Sequence, residues 1–181
     1  MSILPLMALL LGVRIAISDL YARRVPNIWL GGAAGATVLA MLLAPLFDTP
    51  LPWASHLLAA LLGLVTLLPF YLIGWMGAGD VKYFAVLGAL LGLPALLPVW
   101  IMASLLAGLH VLCILLMPRL ASRLPVRLQG LHARAVQDWQ LRPATVRMQQ
   151  ARQGRTGLPF AAYLAMASIT WVLATSAGGP R

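Results

Sequence analysis

Long apolar runs separated by short polar or proline-containing breaks dominate the sequence, at about residues 3–18, 28–47, 54–76, 81–97, 99–117 and 158–177. A helix needs about 20 residues to cross the ~30 Å hydrocarbon layer of a bilayer, and most of these runs approach that length. The pattern therefore predicts an all-α fold, a polytopic membrane helix bundle of about six transmembrane helices, with residues 1–181 forming a single membrane-embedded domain. The boundary between the fourth and fifth runs is the weakest, because Leu93-Pro94-Ala95 and Leu97-Pro98 either kink one long helix or turn the chain between two. The kinked alternative gives five spans and puts the two chain ends on opposite sides.

Composition strengthens the membrane reading and charge gives it a direction. The 181 residues are 61% hydrophobic and 9% charged, far from the balance of a water-soluble domain. A net charge of +9 would suit nucleic acid, but its distribution does not, so no nucleic-acid partner is expected. With six spans, the segments at 19–27, 76–82 and 118–157 share one side. They hold Arg23, Arg24, Lys82 and eight arginines between Arg119 and Arg155, eleven of the thirteen basic residues. By the positive-inside bias that side is cytoplasmic, both chain ends face outward, and the membrane is a bacterial inner membrane. The segment before Arg14 carries no Lys or Arg, unlike the n-region of a signal peptide, so the first span is expected to stay in the mature protein.

The chain has four acidic residues, all Asp. Asp19 ends the first span and Asp80 opens the fourth, at equivalent depth on the same side. Ionisable groups at the edge of an apolar bundle are costly and point to function. Two carboxylates about 4 Å apart at an effective dielectric of about 20 repel by about 4 kcal/mol, so such a pair holds one shared proton. One member then takes a proton from water while the other polarises a peptide carbonyl, which is hydrolysis without a metal or a side-chain nucleophile. In Gly77-Ala78-Gly79-Asp80, the glycines would let an extended substrate backbone approach. The same spacing equally allows an interfacial role, with Asp19 balancing Arg23 or Arg24 and Asp80 capping a helix.

Around these two residues the sequence resembles the type IV prepilin peptidases of the GxGD class of membrane aspartic proteases, in the short form that serves tight-adherence pili. One block is Asp19-Leu20-Tyr21-Ala22-Arg23-Arg24-Val25-Pro26-Asn27, and the other is Gly77-Ala78-Gly79-Asp80-Val81-Lys82, continuing to Gly88-Ala89-Leu90-Leu91-Gly92. Leu158-Pro159-Phe160 at the last span is a weaker likeness. The resemblance implies a catalytic pair of Asp19 and Asp80, supported by Gly77, Gly79, Lys82 and Asn27. It implies removal of the basic leader of a prepilin or pseudopilin at the cytoplasmic membrane face, with membrane lipid and the pilus assembly machinery as further partners. Longer members also methylate the new amino terminus and carry a domain with paired CxxC motifs. This chain has one cysteine, so methylation is not expected. The rival reading is a non-catalytic assembly component or proton-coupled carrier using the same aspartates.

Other residues add less. Cys113 lies in an apolar run and reads as packing, and His56, His110 and His132 lack metal-ligand spacing, so neither metal nor cofactor is expected. Lys82 reads as a snorkelling cation or a tuner of the pair, Asn27 as the start of the second helix. Arg14 either snorkels or pairs with a carboxylate in the bundle. Asp48 reads as a solvated turn residue of the opposite side and Asp138 as a surface residue. Gly31, Gly32, Gly35, Gly88 and Gly92 are helix-packing candidates. The basic 118–157 segment reads as an interfacial helix, a disordered tether or a docking surface.

Overall fold

The computed structural model describes residues 3–47, 52–123, 125–155 and 157–177, and the described part is helical without strands. The helices are α1 (Ile3–Ala22), α2 (Asn27–Leu43), α3 (Trp53–Leu72), α4 (Ala78–Leu91), α5 (Leu93–Ala121), α6 (Val126–Leu141), α7 (Pro143–Arg152) and α8 (Phe160–Ala177), with a 3-10 turn at Ala44–Phe47. Among them, α1, α2 with its 3-10 extension, α3, α5 and α8 are long and apolar enough to cross a membrane. The expected polytopic bundle is therefore present. Asp48 and Arg181, the charges expected on the opposite side, lie outside the described residues.

The fourth and fifth elements differ from expectation. The chain breaks at Gly92, where φ is +75°, and not at the prolines. An L side chain rarely adopts that φ, so glycine is what permits the turn. Helix α5 then runs unbroken for 29 residues, about 43 Å, with Pro94 in its first turn and Pro98 inside it. Pro98 gives up a single helix bond near the start, which packing of Ala95, Val99 and Ala103 tolerates. Helix α4 is left with 14 residues, about 21 Å, short for a lone span.

The contacts fix how these helices run. His56 Nδ1 lies 2.8 Å from the Ala89 carbonyl, and Gly63 meets Phe84 and Ala85, so α3 and α4 are antiparallel neighbours. Their approach is unusually close. A Cβ on Gly88 would stand 2.4 Å from the Ala59 carbonyl oxygen, and one on Gly63 would stand 3.0 Å from that of Phe84. Gly31, Gly32 and Gly35, the other packing candidates, have nothing within 4 Å and do not serve that purpose. Helices α1 and α8 are antiparallel too, since Gly12 faces Ser168 and Ile169 while Asp19 reaches Ala162 at the other end.

On α1 the buried positions are Leu4, Ala8, Leu11, Gly12, Ile15 and Asp19, a three-to-four-residue stripe that ends in a carboxylate. Against it lies the small-residue face of α8, with Ala161, Ala162, Ala165 and Ala167 all buried. Helix packing thus places Asp19 inside the bundle at one end. The same end collects the start of α2, the start of α4 and, through α7, the basic segment after α5. That segment is therefore two helices and not a disordered tether. Cys113 is exposed on α5 instead of packed, and Asp138 is exposed on α6, as expected of a surface residue.

Candidate active site

Asp19 and Asp80 arrive from different directions at the first turn of α8. Asp19 lies in the last turn of α1 and its Oδ2 accepts the Ala162 amide at 2.9 Å. Asp80 is the third residue of α4 and its Oδ2 accepts the Gly77 amide at 3.1 Å. The Ala161 amide, one residue before that of Ala162, also stabilises charge on Asp80, and the two carboxylates act on each other electrostatically. Both are buried, at 6% and 9% exposure. The first turn of a helix has free amides and a positive dipole end, so α8 offers consecutive donors to two acids that would otherwise repel. The capping role considered for Asp80 is real, since it closes the start of α4, and it leaves the second oxygen free for other work.

The neighbourhood of Asp19 is cationic. Arg23 and Arg152 both act on its charge. Arg23 sits just past α1 at φ +53°, and its backbone amide closes onto the Asp19 carbonyl at 3.0 Å. Arg152 is the last residue of α7 and donates from Nη2 to the Leu20 carbonyl at 2.8 Å, tying α7 to the end of α1. Arg24 donates to Gln153 Oε1 and adds a second tie. Burial, then the nearby charge of Arg152, holds the Arg23 guanidinium below its ordinary value, against the opposing pull of Asp19.

The supporting residues sit around this centre at different distances from the chemistry. A Cβ on Gly79 would come within 2.8 Å of the Val25 Cβ, so its missing side chain lets the α1–α2 loop close on the α4 start and join the two sequence blocks. Gly77 supplies the amide to Asp80. Lys82 is exposed and its Nζ lies 3.4 Å from Asn27 Oδ1, so these two meet each other at the rim and not the aspartates. Lys82→Ala is therefore expected to lower kcat/KM by less than about 3-fold, the scale of an exposed polar contact, in a peptide cleavage assay. Arg14 stacks over the Trp29 ring at 4.9 Å, and among the described residues it pairs with no carboxylate.

Over residues 5–112, which contain both aspartates, the sequence matches the type IV leader peptidase family. The chain belongs to the type IV leader peptidase family. The match runs over more than half of the chain and carries a peptidase of the leader-cleaving kind onto this bundle. No curated protein and no solved structure matches the chain. The family match stops within α5, before α7 and α8. The residues that those helices bring to Asp19, the Ala161 and Ala162 amides, Arg152 and Tyr163, are also the ones that motif reading missed. Backbone amides leave no signature in a sequence. Arg152 is one of eight arginines in its segment, and nothing in the spacing singles it out.

Proposed function

We propose that the chain is an aspartic endopeptidase that removes the leader of a type IV prepilin or pseudopilin at the cytoplasmic face of a bacterial inner membrane, with Asp19 and Asp80 as its catalytic pair. The observation that carries this reading is the convergence of the two acids on adjacent amides of α8, in a chain of the leader peptidase family. Asp19 is the member with cationic neighbours, so the single negative charge of the pair is assigned to Asp19 and its proton to Asp80.

In that state Asp19 accepts a proton from water as the water oxygen attacks the scissile carbonyl carbon, and Asp80 gives its proton to the carbonyl oxygen. The tetrahedral diol then collapses. Asp19 returns its proton to the amide nitrogen, Asp80 takes one from a diol hydroxyl, and the C–N bond breaks. The starting protonation is restored and no covalent enzyme intermediate forms. Gly77 and Gly79 hold Asp80 and the facing loop in place, while Lys82 and Asn27 link α4 to α2 at the rim. Eleven of thirteen basic residues on the active-site side support its cytoplasmic orientation. Single-pass pilin precursors expose their leader there, lipid surrounds the bundle, and the pilus assembly machinery receives the product.

Co-expression with a tight-adherence-type prepilin, followed by intact-mass spectrometry, tests the proposal. A leaderless product with an unmethylated amino terminus is expected. Prepilin left at full length beside a well-expressed wild-type chain would favour the assembly-component or carrier reading.

A further inference from the structure

Beside Asp19 lies a group of hydrogen-bond donors that hydrolysis itself does not use. Arg23 Nε and Nη1, Arg152 Nε and the Tyr163 hydroxyl are shut off from solvent and have no hydrogen-bond partner among the described residues. Tyr163 is 5% exposed, in the first turn of α8 next to the amide that holds Asp19. Its hydroxyl lies within the electrostatic reach of Arg23 and Asp19. A buried donor without an acceptor costs roughly 1–3 kcal/mol, more when charged, so leaving several together is a large standing penalty. Such a cluster is explained by an acceptor that arrives from outside.

Charge says what the acceptor is. Arg23 and Arg152 contribute two positive charges, and an aspartate pair sharing one proton contributes one negative charge, which leaves one positive charge uncompensated. A neutral peptide carbonyl would satisfy a donor but not that charge. A carboxylate does both, and guanidinium groups favour it. A lipid phosphate diester carries two bulky substituents and would have to pass beneath α7, which is tied to the Leu20 carbonyl. An acidic side chain on a peptide already lying across Asp19 has no such obstacle.

We propose that Arg23, Arg152 and Tyr163 form a subsite for a carboxylate of the substrate, the side chain of an Asp or Glu close to the scissile bond. The inference rests on the reading of Asp19 and Asp80 as a peptide-hydrolysing pair. Two arginines repel a basic leader, so the acidic residue belongs to the part of the substrate beyond the cut. The subsite gives the enzyme a charge preference on the retained segment, and it makes α7 part of substrate recognition.

The test uses the purified full chain in detergent and peptides that share one leader and one apolar segment, with a single Glu moved through each position flanking the cut and Gln at the same positions as reference. For the wild type, Glu at one position beyond the cut is expected to raise kcat/KM by about 10-fold over Gln, the scale of one charge-assisted hydrogen bond. In Tyr163→Phe, which removes only the hydroxyl, and in Arg152→Gln, the Glu-to-Gln ratio at that position falls toward one. In Arg152→Glu the preference shifts to Lys. Cleavage of all peptides with no preferred Glu position, or a preference that survives every variant, overturns the subsite while leaving hydrolysis intact. A rate that rises with phosphatidylglycerol over phosphatidylcholine vesicles, depends on Arg152 and ignores peptide charge assigns the cluster to lipid phosphate and overturns it as well. No cleavage of any peptide by the wild type removes the hydrolysis reading, and the subsite falls with it.

Discussion

Asp80→Asn and Asp19→Asn are each expected to lower kcat/KM for leader cleavage by at least ~10³-fold, the scale of losing a positioned general acid or base. Neither is expected to unfold the protein. Asparagine retains a side-chain oxygen, so Asn at position 80 still accepts the Gly77 amide that closes α4, and Asn at position 19 still accepts the Ala162 amide. What the amide cannot do is exchange a proton. Far-UV circular dichroism and the thermal midpoint in detergent should therefore stay near wild type while activity disappears. A variant that lost both together would show a structural role and leave the chemistry undecided, which is why the asparagine variants are preferred over alanine.

Gly88→Leu is expected to have the largest effect on folding. The obstruction is backbone, because the Ala59 carbonyl oxygen and carbon would lie 2.4 and 2.6 Å from the new Cβ, and no rotamer change relieves them. Helices α3 and α4 must part, which also shifts Asp80 away from α8. Overpacking by even small groups typically costs about 1–3 kcal/mol, and here the rigid neighbour and the larger side chain place the effect at the top of that range or above. Size-exclusion chromatography of the detergent-solubilised protein should show loss of the monodisperse peak. Gly35→Leu is the matched control, since a Cβ there meets nothing within 4 Å, and its peak should be retained.

That contrast shows how far the sequence could be read. The apolar runs were enough to predict a polytopic helical bundle, because crossing a bilayer demands length and hydropathy and both are written locally. The meeting of Asp19 with the start of α8 and with Asp80 was partly legible, through span alternation and scarce acids. Gly88 and Gly35 look alike in sequence and differ in structure because only a tertiary neighbour decides what an absent side chain is for. The break at Gly92 was misplaced onto Pro94 and Pro98 for the opposite reason. Proline near a helix start is harmless, whereas the positive φ that ended α4 has no strong local signal. The cationic side of the site was hidden most deeply, since Arg152 reaches Leu20 across 132 positions of chain.

The claim on which the rest depends is that Asp19 and Asp80 work as one unit, and a double-mutant comparison addresses it most directly. Purified wild type, Asp19→Asn, Asp80→Asn and the double variant are assayed on one prepilin peptide at saturating detergent and fixed pH. Because either loss disables the same proton exchange, the account predicts that the double variant is no slower than the slower single variant, within a few-fold. Losses that multiply would mean that the two acids contribute independently, and a single variant that still removes the leader at near wild-type rate would contradict the pair outright.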